Sequence, residues 1–138
     1  MATIALLQKT DSIRVPVPDI ESGLDFYRDE LGQQLVWRTE HHAGLRLPGS
    51  DAFIVLVTRH TNLEFNFHVA SAAAAAERFE ASGGRILVPV FKTKNGEAAV
   101  VEDPFGNIYA LRDDSEGELV TDEEGHIIGV DGAPLAGA

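Results

Sequence analysis

The sequence predicts an α+β fold in which two tandem βαβββ modules form a curved mixed sheet around a cleft. Three observations carry that expectation. Residues 12–36 and 64–88 repeat one unit at an offset of 52 positions with no gap, matching Ile13 to Phe65, Val15 to Phe67, Val17 to Val69, Tyr27 to Phe79, Gly32 to Gly84 and Leu35 to Leu87. Each copy opens on an alternating apolar segment and continues at helical spacing. Three further short apolar segments then follow each helix, divided by turn residues. A duplicated strand–helix unit implies two similar halves, and a cleft between packed modules is where small molecules bind.

In the first copy, Ser12-Ile13-Arg14-Val15-Pro16-Val17 alternates as a half-buried strand, and Pro16 removes one ladder donor, so an edge or an irregular pairing is expected there. Asp19 sits as an N-cap, and Ile20, Leu24, Tyr27 and Leu31 follow as a helical stripe that Gly32 stops. QLVWRTE, AGLRLP and AFIVLVT read as three strands, with turns near His42 and at Pro48–Asp51. The second copy repeats the plan: LEFNFHV, a helix capped by Ser71 and ending near Ser82, then RILVPVFK, EAAVVED and NIYALRD. Lys94-Asn95-Gly96 is a hairpin turn, and Asp103-Pro104-Phe105-Gly106 fits a type I turn. Residues 1–113 thus form one domain with modules at 11–59 and 63–113. Residues 114–138 form an acidic hairpin and tail whose last segment, APLAGA, should fray.

The net charge of −11 is unevenly spread. All 11 Lys and Arg lie in residues 1–112 beside 14 acids, while the last 26 residues carry the other 8 acids, Asp113 among them, and no Lys or Arg. That end reads as solvated. A basic face for phosphate is missing, so nucleic acid is not expected as a partner. With no cysteine, disulfides and thiolate chemistry are excluded. No apolar run approaches the roughly 18 residues of a membrane span, no leader is evident, and the expected location is cytoplasmic.

The order of elements, together with VPDIESGLDFYRDELG in the first copy and EDPFGNIYALRD in the second, resembles the vicinal oxygen chelate superfamily, the glyoxalase, bleomycin-resistance and extradiol-dioxygenase group. The resemblance covers residues 11–113 and implies a glyoxalase-like fold. Its metal enzymes carry His or Glu ligands at positions that fall here on Ser12, Glu64 and Ala110, and the matching strand AFIVLVT has no Glu, Asp or His. Only Glu64 is a strong ligand type, and catalytic metal sites typically use three protein ligands. No metal, other cofactor or catalytic residue is therefore expected.

Alternation places Ser12, Arg14 and Pro16 on one face of the first strand, and Glu64, Asn66 and His68 on the same face of the fifth. The opposite faces, Ile13, Val15, Val17 and Leu63, Phe65, Phe67, Val69, are apolar and should cover helices. The expected ligand-binding set is Ser12, Arg14, Trp37, Glu64, Asn66, His68 and Ala110. His68 reads either as an acid–base group or as a hydrogen-bonding one, and Trp37 either stacks on a planar ligand or lies in the core. His41 and His42, adjacent on a strand, point apart and cannot chelate together. Arg46 and Arg112 either reach the cleft mouth or lie on solvated faces.

The expected function is metal-independent binding of a small molecule, a drug-like or planar compound being sequestered, by a protein that forms homodimers. The alternative is a metal-dependent lyase, isomerase or dioxygenase of the same superfamily using displaced ligands such as Glu64, His68 and His41 or His42. Neither a nucleic acid nor a membrane is expected as partner.

Overall fold

The computed structural model describes residues 4–59, 64–130 and 133–134. The chain divides into two compact units, Met1–Asp11 with Phe65–Glu118, and Ser12–Glu64 with Leu119–Ala138. Each holds most of one βαβββ module, as the duplication predicts, and the unit built on Ser12–Glu64 also takes the C-terminal hairpin. Leu63 and residues 135–138 of the terminal segment lie outside the described residues.

In the first module, β1 (Lys9–Pro16) leads through a helical segment to β2 (Leu35–Arg38), β3 (His42–Arg46) and β4 (Phe53–Val57). The strand order is β2-β3-β4-β1. β1 and β4 run parallel, with Ser12 opposite Phe53, Arg14 opposite Val55 and Pro16 opposite Val57. Pro16 is tolerated because it closes the strand: Val17 N–H supplies the bond to Val57 O at 2.9 Å. The turn expected near His42 spans Thr39–His42, closed by Thr39 N–H to His42 O at 2.8 Å and by His42 N–H to Thr39 Oγ1 at 3.1 Å, and His42 opens β3.

The helix departs from its predicted form. Asp19 caps it, accepting from Ser22 N at 2.7 Å, and α1 (Ile20–Leu24) then widens into a π-helical segment, Asp25–Glu30. Leu31 N–H reaches back five residues to Phe26 O at 2.9 Å. The wider turn rotates later side chains away from the 3.6-residue stripe. Ile20, Leu24 and Tyr27 therefore pack on Val15, Val17, Leu45 and Leu56, whereas Leu31, predicted to join them, is exposed.

The second module contains β5 (Glu64–His68), α2 (Ala72–Ala81), β6 (Arg85–Lys92), β7 (Glu97–Glu102) and β8 (Ile108–Arg112), in the order β5-β8-β7-β6. β5 and β8 run parallel, with Asn66 opposite Ala110 and His68 opposite Arg112. Ala72, Ala75 and Ala76 are buried, so the alanine run is the contact face of α2, small enough to sit close on Val101 and Leu111. The Asp103 turn forms as predicted. Gly106 N–H bonds Asp103 O, and the Asp103 carboxylate takes the backbone N–H of Phe105 and Asn107 and the Asn107 carboxamide.

Asp113, counted in sequence with the solvated acids, is only 4% exposed. Its carboxylate accepts from Ala72 N at 2.7 Å, Glu97 N at 2.8 Å and Ser115 Oγ at 2.8 Å. It thereby caps α2 and holds the β6–β7 hairpin. Alternation from Tyr109 and Leu111 puts it on the helix side, the signal that reading it as tail overlooked. Gly96 is required beside it, because a Cβ there would overlap the Asp113 carbonyl and carboxylate.

β9 (Leu119–Thr121) and β10 (Ile127–Val130) form the predicted hairpin, and β11 (Ala133–Pro134), expected to fray, pairs with β10. This hairpin is anchored to the first module: Arg38 N–H donates to Gly125 O at 2.6 Å.

Burial pushes the Asp113 carboxyl up, but its hydrogen bonds outweigh that and hold it below the usual value. The stabilisation is therefore complete above the ordinary aspartate pKa of about 3.9 and is lost as pH falls through the lower folded value. Asp113→Ala is expected to cost about 2–3 kcal/mol in urea unfolding, because buried N–H groups lose a charged acceptor. It should also flatten the acid limb of stability against pH.

Candidate functional site

Helices cover one face of each module, and the other face carries the residues singled out from sequence. On the first module, the core side takes Val15, Ile54, Leu56 and Leu45. The intervening residues leave on the opposite side, in register as Arg14–Val55–Gly44–Trp37 and Ser12–Phe53–Arg46. Ser12 is buried, while Arg14 and Trp37 are half-buried.

Trp37 lies on the helix-free face. Leu35 packs in the core, and strict alternation would carry Trp37 there too. A β-bulge between them breaks the parity, so that Leu35 pairs with Leu45 but Trp37 pairs with Gly44. The indole consequently lies against Gly44 on the helix-free face, so close that a Cβ at position 44 would overlap the ring. Arg38, one residue on, returns to the helix side and bonds Glu21 of α1 at 2.8 Å.

On the second module, Asn66 and Ala110 lie side by side in the row Asn66–Ala110–Val100–Val88. The next row is His68–Arg112–Ala98–Phe91. Glu64, half-buried, opens β5 on the same parity. Asn66 is 1% exposed, and among the described residues neither its Oδ1 nor its Nδ2 meets a hydrogen-bond partner. An unsatisfied buried polar group costs about 1–3 kcal/mol, so this side chain is held at a real expense. Phe65 and Phe67 alternate with Asn66 and line a separate surface groove of about 560 Å³ with Asp103, Gly106, Asn107, Ile108 and Tyr109.

The basic residues are less available. Arg46 lies 6.0 Å from the centre of the Phe53 ring, and Arg112 Nε is 3.9 Å from Asp11 Oδ2. His41 Nδ1 is 3.0 Å from Thr58 Oγ1 and its Nε2 is 2.8 Å from Arg59, while His42 Nδ1 is 3.4 Å from Thr39 Oγ1. Both histidines are therefore engaged at the strand ends.

The positions at which the resemblance implies metal ligands hold a hydroxyl at Ser12, a carboxylate at Glu64 and a methyl at Ala110. β4 presents Phe53, Val55 and Val57 to the helix-free face, none of which can coordinate. Among the described residues no three His, Asp or Glu side chains gather as a ligand set. These residues do not fit a three-ligand divalent site.

Residues 9–111 match the family model described as Glyoxalase/Bleomycin resistance protein/Dioxygenase superfamily. Among solved structures, the chain is similar to methylmalonyl-CoA epimerase from Mycobacterium tuberculosis, with a TM-score of 0.69 and 20% identity over 82% of this chain and 92% of that one. It is also similar to homoprotocatechuate 2,3-dioxygenase from Brevibacterium fuscum, with a TM-score of 0.61 and 24% identity over 78% of this chain and 37% of that one. The 2,3-dioxygenase LapB from Pseudomonas sp. KL28 gives a TM-score of 0.60 and 20% identity over 81% and 42%. The chain thus spans less than half the length of either dioxygenase, and likeness at such identities shows the fold alone. No curated protein sequence matches the chain significantly.

Trp37 is the sole tryptophan, so its fluorescence reports this face directly. Gly44→Ala is expected to lift the indole off the sheet, red-shifting its emission and costing about 1–3 kcal/mol through overpacking. Unchanged emission in a folded variant would contradict the close packing.

Proposed function

The chain belongs to the Glyoxalase/Bleomycin resistance protein/Dioxygenase superfamily, and on that premise we propose that it binds a small, planar, drug-like molecule without a metal. The observation that carries this reading is Asn66, buried beside the methyl of Ala110 and without a hydrogen-bond partner among the described residues. A polar group kept dry at that cost is explained by something outside the module completing its hydrogen bonds. The row that ends in Trp37 adds an aromatic surface of the kind on which a planar molecule stacks, with Arg14 in the same row. The ligand-binding residues of this reading are Ser12, Arg14 and Trp37 on the first module and Glu64, Asn66, His68 and Ala110 on the second.

The donor set supports binding without metal. Alanine at 110 removes a ligand position, and the ring contacts of His41 and His42 occupy the imidazoles that a displaced site would need. In this reading the protein acts in the cytoplasm as a homodimer. In the described residues no helix is long and apolar enough to cross a membrane. β6 ends the strand order of its module with Leu87, Val88 and Phe91 all about two-fifths exposed, a surface suited to a second copy.

A thermal-shift screen of planar drug-like compounds is expected to yield ligands that raise Tm and quench Trp37, with binding unchanged after dialysis against a chelator. Stoichiometric zinc, nickel, manganese or iron, lost together with binding on chelation, would overturn the metal-free reading. Sedimentation should show a dimer that Phe91→Glu dissociates; a monomeric wild type would remove the dimer from the proposal.

A further inference from the structure

Asn66 also defines the chemistry of what it meets. Its cross-strand neighbour Ala110 has no polar side-chain atom, and the row continues through Val100 and Val88. Its same-face neighbours Glu64 and His68 each lie two residues along the strand, about 7 Å away. Among the described residues no group of the module bonds either the oxygen or the nitrogen of the Asn66 amide.

A carboxamide presents one acceptor and one N–H donor side by side in a plane. The group that satisfies both at once is another planar edge with adjacent N–H and C=O, and the match holds whichever way the Asn66 amide is turned. A carboxylate would satisfy the NH₂ but set its second oxygen against Asn66 Oδ1. It would also bring a charge against Ala110 and Val100, a poor exchange for water. The nearest cation in the next row, Arg112, already lies 3.9 Å from Asp11.

We propose that Asn66 is a specificity-determining residue that reads a neutral cis-amide edge, a lactam or primary carboxamide, on the ligand. The proposal rests on the small-molecule reading above and narrows it.

The test uses 2-pyridone, which carries the N–H and C=O edge, and N-methyl-2-pyridone, which keeps the ring and carbonyl but lacks the donor. In ¹⁵N-labelled full-length protein, 2-pyridone is expected to shift the Asn66 side-chain NH₂ resonances saturably. N-methyl-2-pyridone should bind at least ten-fold more weakly. In Asn66→Leu the saturation-transfer signal of 2-pyridone should vanish while Tm rises, because the orphaned amide is gone; Asn66→Ala serves as a second apolar variant should the leucine protein fail to fold.

Equal binding of the two fragments, or binding retained in the apolar variants, would overturn the amide proposal and leave small-molecule binding standing. Absence of binding by both fragments to the wild type, with no ligand from the thermal-shift screen, would overturn both. Absence of fragment binding when the screen does yield ligands would overturn the amide proposal alone.

Discussion

Each module is organised by one pairing, the parallel contact between its first and last strands. β1 meets β4 and β5 meets β8 in parallel register, which requires a crossover connection, here one that begins with a helix. That crossover fixes which face is covered. Val15, Leu56, Phe67 and Leu111 go to the helix side, and every alternate residue is delivered to the other. The candidate site follows from this constraint: the parallel ladders set Arg14 beside Val55 and Asn66 beside Ala110.

The second module depends further on a single carboxylate. Asp113 joins the end of β8 to the start of α2 and to the β6–β7 hairpin, three segments distant in sequence. Burial opposes the charge, and its hydrogen bonds to backbone N–H groups and the Ser115 hydroxyl overcome that opposition. The contrast with Asn66 is informative. Both are short polar side chains almost wholly removed from solvent, yet Asp113 is hydrogen-bonded into the scaffold while the Asn66 amide makes no hydrogen bond among the described residues. The first is architecture, and the second is the feature that a fold alone does not require.

Most of the fold was legible in the chain, for definite reasons. The repeat spacing, the caps at Asp19 and Ser71 and the Asp103 turn are local signals, and each forms as expected. Strand parity also held for Ser12, Arg14, Asn66 and His68, because side-chain direction in an uninterrupted strand has a fixed period. Legibility failed where the period was broken or the partner was remote. The π-helical segment displaced Leu31, the bulge after Leu35 turned Trp37 outward, and Asp113 found partners 41 and 16 residues away.

By itself the sequence determined the two βαβββ units, the helix-covered and open sides of their strands, and the donor-poor chemistry at Ser12 and Ala110. These follow from periodicity and residue type, both of which are written locally. Tertiary structure alone decided which face receives Trp37, that Asp113 is a buried cap and not part of a solvated tail, and that the Asn66 amide finds no partner among the described residues. Those outcomes depend on strand register and on which backbone groups arrive from distant segments, quantities that a one-dimensional pattern does not contain.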